Sequence, residues 1–185
     1  MALKRIATIF ATAAILAFAL AGCGSDDGDK SFSTPTYPFS FDYPSGWTVS
    51  RTASFNYGSS SSAERSVSVA LKEPFDQVTI TQYKLRKTLP AGVNGNQPEV
   101  DRIVRRLTRQ AKGTASDAKV VEYGGIPGYQ YIVEYPGGEN VTLQNQLTFL
   151  FSGKDEFQIN CQSSPAKREE LNKGCEQILG SLKFN

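Results

Sequence analysis

Histidine is absent from this chain of 185 residues, and its three cysteines stand far apart at positions 23, 161 and 175. The lack of histidine removes the commonest general base, proton shuttle and metal ligand together. Ser-His-Asp and Cys-His machinery are excluded, as are zinc sites that use histidine, and three cysteines cannot complete a four-cysteine site. Acid–base work would fall to carboxylates, with Asp117, Glu122 and Glu134 as candidates for a hydrolase. That role requires them to converge in a pocket, which spacing alone does not show. No metal and no cofactor is expected. A different chemistry is offered by Arg102, Arg105, Arg106, Arg109 and Lys112. On a helix, at about 100° per residue, they fall within a sector of about 120°. Such a stripe suits anionic lipid headgroups, each charge near the surface contributing about 1 kcal/mol. A plainly solvated helix surface would carry the same residues.

Cys23 is set apart by what precedes it. Lys4 and Arg5 open the chain, and Ile6 to Ala21 is apolar except for Thr8 and Thr12. That run falls short of the roughly 20 residues that span a bilayer, so it reads as a secretory signal to be removed and not as an anchor. It ends in Leu20-Ala21-Gly22-Cys23, which resembles the lipobox of bacterial lipoproteins. The resemblance implies transfer of a diacylglycerol to the Cys23 sulfur, cleavage before Cys23 and acylation of the new amino group. Small side chains at 21 and 22 let the backbone enter a peptidase site, and cysteine alone offers a nucleophilic thiolate. Two or three acyl chains hold a protein stably where one gives marginal binding. The expected product is lipid-anchored on the extracytoplasmic face of a cell membrane.

Loss of residues 1–22 takes two of the 20 basic residues and none of the 18 acidic ones, so 18 of each remain and the formal net charge is zero. The basic character of the precursor belongs to its leader, and no nucleic-acid partner is expected. The remaining length suffices for one domain with its own core.

The elements that must position these residues follow from periodicity. Residues 23–36 are small, polar and charged and read as a flexible tether; Asp26, Asp27 and Asp29 lack the spread of ligands of a calcium loop. The domain then runs from 37 to 185. Phe39, Phe41 and Tyr43 alternate as in a strand, Pro44-Ser45-Gly46 suits a turn, and Trp47 follows. Val67, Val69 and Leu71 predict a strand that pairs with 77–85, and 98–112 predicts a helix with Val100, Ile103, Val104, Leu107 and Ala111 on its apolar face. A meander follows, through 119–123, 129–135, a long strand over 141–151 and a last strand bearing Phe157, Ile159 and Cys161. A helix from Pro165 to Leu182 closes the chain, with Leu171, Cys175, Ile178, Leu179 and Leu182 on its apolar face. This order predicts α+β with a central antiparallel sheet flanked by helices.

The motif Phe39-Ser40-Phe41-Asp42-Tyr43-Pro44-Ser45-Gly46-Trp47, the turn Gly125-Ile126-Pro127-Gly128-Tyr129 and the ending Ile178-Leu179-Gly180-Ser181-Leu182-Lys183-Phe184 resemble the Mog1/PsbP-like superfamily, within it the LpqN-type and related PsbP-like lipoproteins. The resemblance spans about residues 37–185 and rests on diffuse structural motifs. It implies an α/β/α sandwich and accessory or binding roles, with no shared active site. One feature departs from a sandwich covered on both sides. Gln130, Glu134, Thr142, Gln144, Gln146, Thr148, Gln158, Asn160 and Gln162 all fall on outward parity, so one sheet face is expected to be partly open.

That amide-rich face could bind a partner or a polysaccharide, or simply be solvated. Tyr129, Tyr131 and Tyr135 share the parity of Val133, which suits either a ligand groove or the core. The leading expectation is a non-catalytic accessory module that binds an envelope protein or ligand. The alternatives are a carrier of a hydrophobic ligand, which predicts a large apolar cavity under the sheet, and the carboxylate hydrolase above. With Cys23 acylated, Cys161 and Cys175 remain outside the cytoplasm, where disulfides persist. Cys161 has the parity of Phe157 and Ile159, and Cys175 lies on the buried face of the last helix. Folding back at Ser163-Ser164 brings strand and helix side by side, and a disulfide between the two cysteines is expected.

Overall fold

The computed structural model describes residues 28–51, 63–71, 75–89, 96–138 and 140–185; the signal segment and Cys23 lie outside the described residues. The elements are β1 (Lys30–Phe32), β2 (Phe39–Tyr43), β3 (Thr48–Ser50), β4 (Ala63–Ala70), β5 (Gln77–Lys84), α1 (Gln97–Gln110), β6 (Thr114–Ala115), β7 (Lys119–Tyr123), β8 (Ile126–Gly138), β9 (Val141–Ser152), β10 (Asp155–Ser163), α2 (Arg168–Ser181) and β11 (Lys183–Phe184). An eight-stranded antiparallel sheet carries the order β3-β4-β5-β10-β9-β8-β6, with β7 also paired to β8, and β1-β2-β11 form a second, three-stranded sheet. The β9–β10 hairpin closes over Gly153, whose φ of 61° is the left-handed value that a two-residue hairpin loop requires at its first position.

Residues directly opposite one another across an antiparallel pair share a face of the sheet. Here Phe157, Ile159 and Cys161 of β10 stand opposite Leu150, Thr148 and Gln146 of β9. The apolar side of β4, β5 and β10 and the apolar side of the β8–β9 hairpin therefore point in opposite directions. Two cores result. Val67, Val69, Val78, Ile80, Phe157 and Ile159 pack with the small sheet and with Leu171, Cys175, Ile178 and Leu179 of α2. On the other face Tyr129, Tyr131, Val133, Leu147 and Phe149 pack under Val100 and Val104 of α1. The two helices pack on opposite faces of the large sheet, α2 together with the small sheet.

This arrangement corrects the expected open face. Gln130, Glu134, Gln144, Gln146 and Thr148 lie on the α2 side, whereas Gln158, Asn160 and Gln162 lie on the α1 side. Of the nine, only Thr142 is exposed. Several are held in hydrogen bonds: Gln130 Nε2 donates to Thr148 Oγ1 at 3.2 Å, Gln144 Nε2 to Glu134 Oε1 at 3.1 Å, and Gln162 Nε2 to the Phe75 carbonyl at 2.9 Å, whereas the buried side-chain amide of Asn160 has no partner among the described residues. Parity within a strand is relative, and the pairing register alone decides which face it names.

The tether expected over 23–36 also gives way partly to structure. Lys30–Phe32 pairs with β2, and Phe32 is buried, its ring stacked on Phe41 at 5.0 Å. One aromatic in a polar stretch suffices, because it finds Tyr37, Phe39 and Phe41 already clustered.

The structure joins Cys161 and Cys175 by a disulfide, with Cα atoms 6.1 Å apart, linking β10 to α2. Asp76, itself buried, adds a second tie at this corner: its carboxylate accepts from the Ser164 backbone N–H at 2.6 Å and from the Ser164 hydroxyl at 3.0 Å.

Candidate functional site beside helix α1

Pro98 in the first turn starts α1, and Glu99 favours its N-terminal dipole. Of the five residues of its expected apolar face, only Val100 and Val104 are buried; Ile103, Leu107 and Ala111 are half-buried. The place of a third buried side chain is taken by Thr108, whose hydroxyl donates to the Val104 carbonyl at 2.8 Å. The helix is thus seated on β8 and β9 along one edge of its apolar stripe, and among the described residues both its flanks stand open.

On one flank runs a groove of 620 Å³, lined by Asp101, Arg105, Thr108, Arg109, Asp117 and Tyr131 among others. Its fixed point is Tyr131, whose hydroxyl donates to Asp101 Oδ1 at 2.7 Å. Burial and that bond both raise the Tyr131 pKa, so the phenol stays neutral and holds its proton on the carboxylate.

The other flank opens a cleft of 740 Å³ between α1, the segment 85–89 and the ends of β9 and β10. The segment is fixed against the β9–β10 turn by backbone bonds, Leu85 N–H to the Lys154 carbonyl at 2.7 Å and Leu89 N–H to that of Gly153 at 3.0 Å. Val100, Ile103, Phe149, Phe151, Leu85 and Leu89 give the cleft apolar walls. Arg86, Lys87, Arg102, Arg106 and Arg109 surround them. Glu156 stands at the base, opposite Phe151 on one side and Tyr83 on the other in the strand register. Burial among these rings pushes its carboxyl up to about 7, and burial beside Glu156 pushes the Tyr83 phenol to about 12.

The structure thus distributes the expected basic stripe. Arg102 and Arg106 face the cleft, Arg105 the groove, and Arg109 lines both. Lys112, with φ of 55°, lies beyond the helix end and lines neither. All five are exposed. The three carboxylates do not converge: Glu134 is held by Gln144 on the α2 side, Glu122 is exposed on β7 and faces the other way, and Asp117 lines the groove. Tyr129 and Tyr131 are buried beneath α1, while Tyr135 is half-buried and donates to Gln162 Oε1 at 2.8 Å. Among the described residues no group of His, Cys, Asp or Glu is placed to hold a metal ion, and no helix is long and apolar enough to cross a membrane.

The large openings lie beside α1, with mixed walls, and not under the sheet as a purely apolar cavity. Sequence reasoning missed Glu156 and the segment 85–89. The available signal was that Glu156 is out of phase with Phe157 and Ile159, which sets it on the α1 face with Gln158.

Two of three comparisons with known proteins are empty: no family model matches the chain, and no curated protein matches it. Solved structures do. The solution structure of cyanobacterial PsbP (CyanoP) from Synechocystis sp. PCC 6803 superposes with a TM-score of 0.59 at 14% identity, over 89% of this chain and 96% of that one. The fold is PsbP-like. LpqN of Mycobacterium tuberculosis, described as involved in cell envelope biogenesis, matches with a TM-score of 0.52 at 14% identity, over 86% of this chain and 93% of that one. A protein of Bacteroides thetaiotaomicron VPI-5482 matches with a TM-score of 0.52 at 15% identity, this time covering 86% of this chain but 49% of the other. At this identity these likenesses concern the fold alone.

Proposed function

We propose that this PsbP-like domain is a non-catalytic accessory module, held by lipid on Cys23 at the extracytoplasmic face of a cell membrane, where it binds an envelope protein or ligand through the surface built around α1. The observation that carries the reading is the exposure of Arg102, Arg105, Arg106 and Arg109 on a helix whose two flanks are open among the described residues. A membrane-tethered domain can turn such a face toward anionic headgroups. Support for an envelope role comes from the likeness in fold to LpqN, and support for an accessory rather than catalytic role from the separation of Asp117, Glu122 and Glu134. The test is cell fractionation. The native chain is expected in the membrane pellet and a chain whose residues 1–23 are replaced by an ordinary cleavable secretory signal in the supernatant; a replaced chain that stays in the pellet contradicts the anchoring.

A further inference from the structure

We propose that the cleft between α1 and the segment 85–89 is a binding site for a single-chain anionic amphiphile, taken as one molecule from the adjoining membrane, its chain on the apolar walls and its phosphate- or carboxylate-type head at the arginine rim. Only the source of the ligand rests on the anchoring reading. The size is suitable, since a 740 Å³ cleft falls among those that enclose small ligands.

The walls are composed in two zones. Ile103, Phe151, Leu85 and Leu89 are each half-buried, so apolar surface is left facing the opening with nothing among the described residues packed over it. Ile103 belongs to the apolar stripe of an amphipathic helix, and burial of that stripe is what normally fixes such a helix. Here Ile103 is turned from the sheet into the cleft, beside the buried Val100. A ligand chain would complete the burial.

The second zone is charged. Arg86, Lys87, Arg106 and Arg109 have no carboxylate partner among the described residues; Arg102 alone is paired, with Glu99. Unpaired cations around an apolar trough are complementary to an anionic head on an apolar chain, with arginine able to grip such a head through two parallel bonds. The acid at the base does not oppose this. Glu156 lies below the rim among rings, and its burial keeps a large share of it uncharged near neutral pH. A zwitterionic or uncharged head would leave the rim cations unmatched, which is why the site selects for an anion and not for apolar chains in general.

The experiment is photo-crosslinking with dodecyl phosphate carrying a diazirine on its chain, added to the full processed chain in phosphatidylcholine vesicles. Adducts are predicted in the peptides holding Leu85–Leu89, Ile103 and Phe151. Unlabelled dodecyl phosphate should compete about tenfold better than dodecyl maltoside, because an uncharged head forgoes rim contacts of about 1 kcal/mol each, and inorganic phosphate should not compete, because it lacks the chain whose burial contributes about 0.8 kcal/mol per CH2. Arg86→Glu with Arg106→Glu should lower the adduct yield about tenfold at unchanged Tm, while Lys112→Glu, which lines neither opening, leaves it unchanged. Adducts confined to other peptides, equal competition by dodecyl maltoside, or a yield indifferent to the double reversal would each overturn the proposal. The yield is read on the chain whether or not Cys23 bears lipid, so failure here leaves the anchoring reading standing, and the converse.

Discussion

Glu156 concentrates the electrostatics of the site in one side chain. Its carboxyl is raised from 4.5 to about 7 by burial between Phe151 and Tyr83, so ionising it in the folded state is unfavourable. The consequence for stability follows from proton counting. Below pH 4.5 the group is protonated in folded and unfolded chains alike and has no effect. Between about 4.5 and 7 the unfolded chain releases the proton first, so stability contributed by the neutral carboxyl is lost as pH rises through that window. Glu156→Gln removes this dependence. The variant should match the native protein at pH 4 and exceed it at pH 8 by about 1–3 kcal/mol in urea denaturation. An equal gap at both pH values would show that the glutamine acts by packing and not by charge.

At the scale of elements, α2 is bound to its surroundings by fit as much as by area. Gly174 faces Trp47 so closely that a Cβ there would lie 2.3 Å from the indole ring, whereas Gly180 on the same helix has nothing within 4 Å. Alanine favours a helix over glycine by about 1 kcal/mol, so Gly180→Ala should stabilise by up to that amount. Gly174→Ala should instead cost about 1–3 kcal/mol, since a Cβ at that distance forces the indole or the helix to shift from its packed position. Opposite signs in the shift of Tm are the check, and a gain at both positions would contradict the contact. The disulfide acts at this scale too. Closing a loop over a separation of 14 residues stabilises by about 3 kcal/mol in the chain-entropy model, and Cys161→Ala with Cys175→Ala should lose that much. Non-reducing peptide mapping of the native chain should give the Cys161 and Cys175 peptides joined; labelling of both thiols in unfolded, unreduced protein would refute the bond.

Over the whole molecule, what was legible in the sequence was whatever depends on one strand or one helix. The alternation of 141–151 sets β9, Pro98 sets the start of α1, and the parity of Cys161 with Phe157 and Ile159 places it on the side where α2 packs. What was illegible depends on how elements meet. Thr148 and Ile159 share a face because the register makes them neighbours, and this turns an apparent open face into two polar patches on opposite sides. Phe32 joins the core only because β2 is there to pair with it. The cleft was hidden for the same reason, as its walls come from α1, the segment 85–89 and the ends of two strands. In the proposed account these parts form one device, a PsbP-like domain with a basic helix and an amphipathic cleft, held near a membrane by its first processed residue. The attachment is the claim on which the cellular role stands. Mass spectrometry of the N-terminal peptide from the membrane fraction tests it most directly. The account predicts a peptide beginning at Cys23 and bearing a diacylglyceryl group on its sulfur, whereas a peptide with a free Cys23 thiol, or one beginning elsewhere, would contradict it.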